Sequence, residues 1–296
     1  LETENKSTFR KMTDRLYGGI GLSWPMVIIL AVASAVITAV FLIVPVFKDT
    51  SFERMGVQLE AWFFIAIFIM PNCKSAVDSA LKTFVFFLIS QPLIYLFQVP
   101  FSDMGWSLFG YYKNWFFLTL CTFPMAFVGW YIRKRNWLGT LIIAPVLAFL
   151  TVVGAGALRD TITDPPYLLV TAIFCLGQVV LYAFVFTGDK WQRLAACAVI
   201  AVSAVVFFAL YSKIEVNGQA ALPDGYSYSE SAELTVEEND FVTVELIDAE
   251  SGFVRVHATK YGTATFTVKD GDKSDTFTIT VSTEHGISNI RIEIEK

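Results

Sequence analysis

The 296-residue chain is 55% hydrophobic and 17% charged, with a formal net charge of −5. Apolar residues in that proportion cannot be spread over the surface of a water-soluble fold, and no basic, aromatic-interleaved stripe is present to engage a nucleic acid. Four cysteines without a CxxC pair and two histidines, His257 and His285, offer no metal-ligand spacing, so neither a metal nor another cofactor is expected.

The chain opens on a basic segment, 1–22. Phe9, Met12 and Leu16 share one side of an expected helix with Lys6, Arg10 and Arg15 around it, which suits the anionic inner leaflet of a bilayer. Seven apolar stretches then fill 23–213: Trp24 to Phe47, Gly56 to Pro71, Thr83 to Val99, Trp115 to Ile132, Trp137 to Leu158, Tyr167 to Phe186 and Leu194 to Tyr211. A helix needs roughly 20 apolar residues to cross a hydrocarbon core about 30 Å thick, so the reading is a bundle of seven transmembrane helices. The first stretch is too long for a secretory signal and lacks a cleavage site, so it is expected to stay as an anchor. The second is short and carries Gln58 and Glu60, which leaves a tilted span or a re-entrant hairpin open.

Loop charge favours seven crossings. With a cytoplasmic N-terminus, 11 Lys and Arg residues fall inside, among them Arg133, Lys134 and Arg135, against 5 outside. Cytoplasmic loops favour these residues, which puts everything after Lys213 outside.

From Ile214 the texture changes. This part, 214–296, has 16 acidic and 6 basic residues and no cysteine. Leu234–Val236, Phe241–Leu246, Phe253–Ala258, Thr263–Val268 and Thr276–Val281 alternate with period two, with Asp270-Gly271-Asp272 as a turn between the last two, so a small β-sandwich is expected. Ile287, Ile290, Ile292 and Ile294 leave an edge strand or a frayed tail open. Lys260-Tyr261-Gly262-Thr263-Ala264-Thr265, followed by the Thr/Val-rich Thr276–Val281, resembles the C-terminal half of a bacterial immunoglobulin-like domain of the group 2 type. The family's Trp and Ser/Asn-rich segment is missing. The resemblance implies a bacterial source, an extracytoplasmic sandwich and a spacer or adhesive role toward an envelope glycan or protein. Gly262 is expected to occupy a turn with positive φ.

Candidate functional groups lie in the apolar part. Glu60 sits near the outer end of the second stretch, free to snorkel to the head groups or to pair with Arg159. Asp78, between Lys74 and Lys82, reads as a solvated i,i+4 face. Gln91, beside Pro92, and Gln178 lie mid-span, where amides seek partners on other helices or line a polar cavity. Prolines punctuate the first five stretches and not the last two, so the first five read as a bent unit. Gly154-Ala155-Gly156-Ala157 should let a neighbouring helix come close, and the four cysteines read as small buried hydrophobes. The outer loop 100–115 is dense in aromatics. Trp106, Phe109, Tyr111 and Tyr112 suit an interfacial belt or a surface that holds an amphipathic ligand.

No nucleotide-binding, metalloprotease or serine-hydrolase motif occurs, and no His lies in the apolar stretches. Three functions remain: a non-enzymatic membrane protein that binds or moves a lipid-like or small amphipathic ligand; a surface interaction or sensor protein anchored by its helices; and a membrane enzyme acting on lipid head groups. The first is preferred. Membrane lipids are the expected partners.

Overall fold

Ser23 opens the first long helix. Its side chain accepts from the Met26 N–H, Pro25 lies in the first turn where a missing N–H does no harm, and the helix ends where Val44 turns extended ahead of Pro45. The computed structural model describes residues 10–210, 213–223, 226–284 and 287–295. Lys6 and Phe9 of the N-terminal segment, Tyr211 at the end of the last apolar stretch, and His285 lie outside the described residues.

A short helix at 10–16 (α1) is followed by α2 (Trp24–Ile43), α3 (Ser51–Val57), α4 (Leu59–Ile69), α5 (Ala76–Gln98), α6 (Tyr112–Gly129), α7 (Trp137–Thr163), α8 (Leu169–Val185) and α9 (Lys190–Leu210). Among the described residues, five helices are long and apolar enough to cross a bilayer: α2, α5, α6, α7 and α9. The other two expected spans differ. Gly56 to Pro71 is not one helix, because α3 stops at Gln58, whose backbone is extended (φ −98°, ψ 167°), and α4 sets off at a bend of 62°. Tyr167 to Phe186 shortens to α8, 17 residues or about 26 Å, because Leu168 takes a left-handed conformation before it. Full-length apolar helices thus number five, or six with the bent pair taken as one span, against the seven expected.

The chain divides into two compact units, Leu1–Thr161 with Pro166–Val205, and Ile162–Pro165 with Val206–Lys296. In the helical unit, α4 lies between two apolar clusters. Trp62, Ala66 and Ile69 pack with Val27 and Ala31 of α2 and Phe86 of α5, while Ile67 packs with Ile143 and Leu147 of α7 and Val179 and Tyr182 of α8. Gly154 lets α7 approach α8 closely, since a Cβ there would stand 3.1 Å from that of Cys175. Outward, Ile29, Phe117, Leu141, Ile173 and Val205 are exposed, an apolar surface suited to hydrocarbon rather than water.

At the end of the unit where α5 begins, Asn72 is fully satisfied. Its amide donates to Leu16 O (2.6 Å) and Phe68 O (2.9 Å), and its oxygen accepts from Gly18 and Ile20 N–H (3.0 Å each), tying the N-terminal segment down. That segment buries Thr13 and Tyr17 and leaves Met12 and Leu16 exposed. Lys82 does not form the expected solvated face. It is 3% exposed, with Nζ donating to Leu22 O (2.6 Å) and Asp78 (2.8 Å). The cysteines are free; Cys73 and Cys175 are buried, whereas Cys197 is exposed on α9, because one face of that helix has no protein to pack against.

The β unit has two antiparallel sheets that close on one core. The strands are β1 (Val216–Ala221), β2 (Glu233–Val236), β3 (Val242–Asp248), β4 (Phe253–Ala258), β5 (Gly262–Asp270), β6 (Lys273–Glu284) and β7 (Ile287–Ile294), in orders β1-β4-β3 and β2-β5-β6-β7. Val244, Val254 and Val256 of the first sheet meet Phe266, Phe277 and Ile279 of the second, each fully buried aromatic contributing about 1.5–3 kcal/mol. The isoleucines past Val281 form β7, paired along β6 from Phe277↔Ile294 to Glu284↔Ile287. Gly271 has φ +61° in the β5–β6 turn. Gly262 does not have positive φ. It begins β5, and a Cβ there would lie 3.1 Å from the Phe241 ring, so crowding rather than turn geometry selects glycine.

Candidate functional site

One end of the helical unit gathers the end of α2, the α3–α4 break, the second half of α5 and the start of α6. There Gln91 and Tyr111, far apart in sequence, line one cavity of about 290 Å³ with Gln98, Tyr95, Leu108 and Trp115. The geometry follows from local chemistry. Pro92 follows Gln91 inside α5, and a short 3-10 helix at Gly105–Gly110 brings the chain back so that Tyr111 and Trp115 face α5. Gln91 is 2% exposed, and its Nε2 has no hydrogen-bond partner among the described residues. A buried N–H left unpaired is costly, about 1–3 kcal/mol, so this donor is set up for an acceptor in the cavity.

The other loop aromatics turn elsewhere. Trp106 stacks on Phe109 (5.8 Å between ring centres), and Phe109 and Tyr112 both pack on Tyr95 (5.9 and 6.0 Å). Trp106 itself is 70% exposed. The four aromatics therefore separate into Tyr111 at the cavity and a packed cluster of three beside it.

Trp115 also lines a second cavity, of about 170 Å³ between α4, α5 and α6, where the buried Trp62 Nε1 and Thr83 Oγ1 lack partners. That cavity shares Leu59, Phe63, Met70 and Met125 with a third, of about 600 Å³, which extends between α4, α6 and α7 to Pro124 and Pro145. The three follow one another from an uncharged pocket that holds Gln91 and Gln98 to an apolar cleft, the first two divided by Trp115. Beside α4 the second and third cavities run from Leu59 to Met70, about 17 Å at 1.5 Å per residue, close to half of a hydrocarbon core about 30 Å thick.

Glu60 and Gln178 meet at a separate place. Gln178 Nε2 donates to Glu60 O (3.5 Å) and its Oε1 accepts from Tyr182 Oη (2.9 Å). Glu60 is 1% exposed, so it does not snorkel; it turns inward because the break at Gln58 re-aims the first turn of α4 into the protein. Arg159 instead holds Asp160 through Nε (3.0 Å) and Nη2 (2.7 Å), its carboxylate neighbour on the same helix. Arg54 Nε, Glu60 Oε1 and Thr171 Oγ1 are buried without hydrogen-bond partners among the described residues. Ser51, whose Oγ accepts from the Thr171 N–H (3.3 Å), Arg54 and Thr171 were not expected at a site. A signal existed for α8: Thr171, Cys175, Gln178 and Tyr182 are spaced 4, 3 and 4 apart, a polar stripe on one helical face.

No group of three or more His, Cys, Asp or Glu suited to a metal occurs among the described residues. Comparison with protein-family models, with curated proteins and with solved structures finds no match to this chain.

Proposed function

We propose that this chain is a multi-pass bacterial membrane protein, not an enzyme, that binds or moves a lipid-like or small amphipathic ligand. The observation that carries the reading is the succession of cavities from the Gln91 and Tyr111 pocket, past Trp115, to the apolar cleft between α4, α6 and α7. A pocket with few polar groups followed by an apolar cleft is complementary to a molecule with one polar and one apolar end.

In this proposal the bent α3–α4 pair and α8 cross with the five full-length helices, making seven. A 17-residue helix is accommodated by local thinning of the bilayer at modest cost. The N-terminus is cytoplasmic and the β unit is outside, which the excess of basic residues on the inner side supports. The cavity of Gln91 then lies toward the outer face. The β unit, read as an immunoglobulin-like sandwich, offers its surface to an envelope glycan or protein.

The test is mass spectrometry of lipid retained by the full chain purified from its membranes, beside a Val128→Trp variant that fills the cleft. A defined lipid, retained by the native protein and reduced at least fivefold in the variant while the protein stays monodisperse, is the expected result. Bulk lipid only, unchanged by the substitution, overturns the reading.

A further inference from the structure

The cavity of Gln91 and Tyr111 carries information about the head group. We propose that the cavity of Gln91 and Tyr111 selects a small, uncharged, hydroxyl-bearing head group, so that the ligand is a neutral glycerolipid or monoglycosyl lipid rather than an anionic phospholipid. The inference rests on the lipid-binding reading and adds the class of lipid to it.

None of the residues lining the cavity is charged. Recognition of a phosphate relies on Arg, Lys or a cluster of backbone N–H groups, and an anion moved into an uncharged, largely apolar pocket loses its hydration without a counter-charge. Arg54 comes two residues before Gly56, which lines the cavity, but does not line it itself. What the cavity offers instead suits hydroxyl groups. Gln91 Nε2 is a buried donor without a partner. The Tyr111 hydroxyl both donates and accepts. Gln98 uses one amide N–H on Ile94 O (3.1 Å), which leaves it a second N–H and its carbonyl oxygen to offer. Tyr95 and Trp115 add aromatic surface for the apolar face of a ring. At about 290 Å³ the cavity is at the small end of ligand pockets, which fits a glycerol or one sugar ring.

The experiment is binding of defined lipids to the delipidated full chain in detergent, followed by native mass spectrometry. The probes are dioleoylglycerol, monoglucosyl dioleoylglycerol and dioleoyl phosphatidylglycerol, identical in their chains. At least one of the two neutral lipids should bind tenfold or more tighter than phosphatidylglycerol, and the stronger of them tells whether a bare glycerol hydroxyl or a sugar is read. Gln91→Leu should erase the preference while binding through the chains persists, and Tyr111→Phe, which removes one hydroxyl and little volume, should reduce it. Equal binding of all three by the native protein, or a preference untouched by both substitutions, overturns the head-group assignment and leaves the lipid reading standing. Failure of all three to bind overturns both.

Discussion

At the scale of single residues, Gly262 separates two explanations that sequence cannot. A glycine ahead of a strand suggests positive φ, yet its backbone is that of β5 and the constraint is the Phe241 ring 3.1 Å from where a Cβ would stand. Gly262→Val is therefore expected to destabilise the β unit by about 1–3 kcal/mol through overpacking. Gly262→Asn discriminates: asparagine tolerates positive φ, so it would be mild if the turn mattered, but it too must push Phe241 aside. Hydrogen-exchange protection of β5 in the full chain should fall in both variants and recover when Phe241→Leu is added. Glu60, Lys82 and Gln91 make a related point. Their polarity marked them in an apolar background, but which face of the helix meets protein depends on neighbours far away in sequence, so Lys82 and Glu60 were misplaced at the surface while Gln91 lines a cavity as one of its two expected roles.

At the scale of elements, the β5–β6 hairpin and the segment before β2 are joined by titrating groups. Ser229 donates its hydroxyl (2.6 Å) and N–H (2.7 Å) to Asp270, which holds that carboxyl below the usual carboxylate range. Burial raises the Tyr228 hydroxyl above its ordinary value, and donation to Asp275 (2.8 Å) adds to the effect. The signs are opposite. The Asp270 contribution is present above the unfolded carboxyl pKa of about 4 and is lost as pH falls below it, whereas the Tyr228 contribution is present below about pH 10 and is lost as pH rises beyond it. Proteolysis between 226 and 232 should thus accelerate at both extremes, with Asp270→Asn removing the change in acid and Tyr228→Phe that in alkali. A rate flat from pH 3 to 11 would contradict the linkage. Element boundaries were legible where the apolar run starts with the helix, as at Trp24, and where residues alternate, as in β4; α5 instead starts at Ala76, ahead of the expected Thr83, because Ser75 caps it before the apolar run begins. The break at Gln58 was not, because one extended residue between two helical runs leaves hydropathy unchanged. Nor was β1, whose Asn217, Gly218 and Gln219 lack strand character and are held by pairing to β4.

At the scale of the whole chain, the sequence separates an apolar helical part from an acidic β part, and the structure has both. The cleft was legible only as a tendency, in the prolines that punctuate the first five apolar stretches, of which Pro124 and Pro145 line it. Its walls come from α4, α5, α6 and α7, and an uncovered apolar face reads in sequence like a covered one. Gln91 and Tyr111 were each visible as candidates; their meeting was not, because it depends on the fold between them. Electron cryomicroscopy of the full chain in nanodiscs of its native membrane lipids tests the central claim most directly. Continuous density is expected from beside Gln91 and Tyr111, past Trp115, to Pro124 and Pro145. A cleft closed by side chains, or one holding only the same diffuse density that surrounds α9, would contradict it.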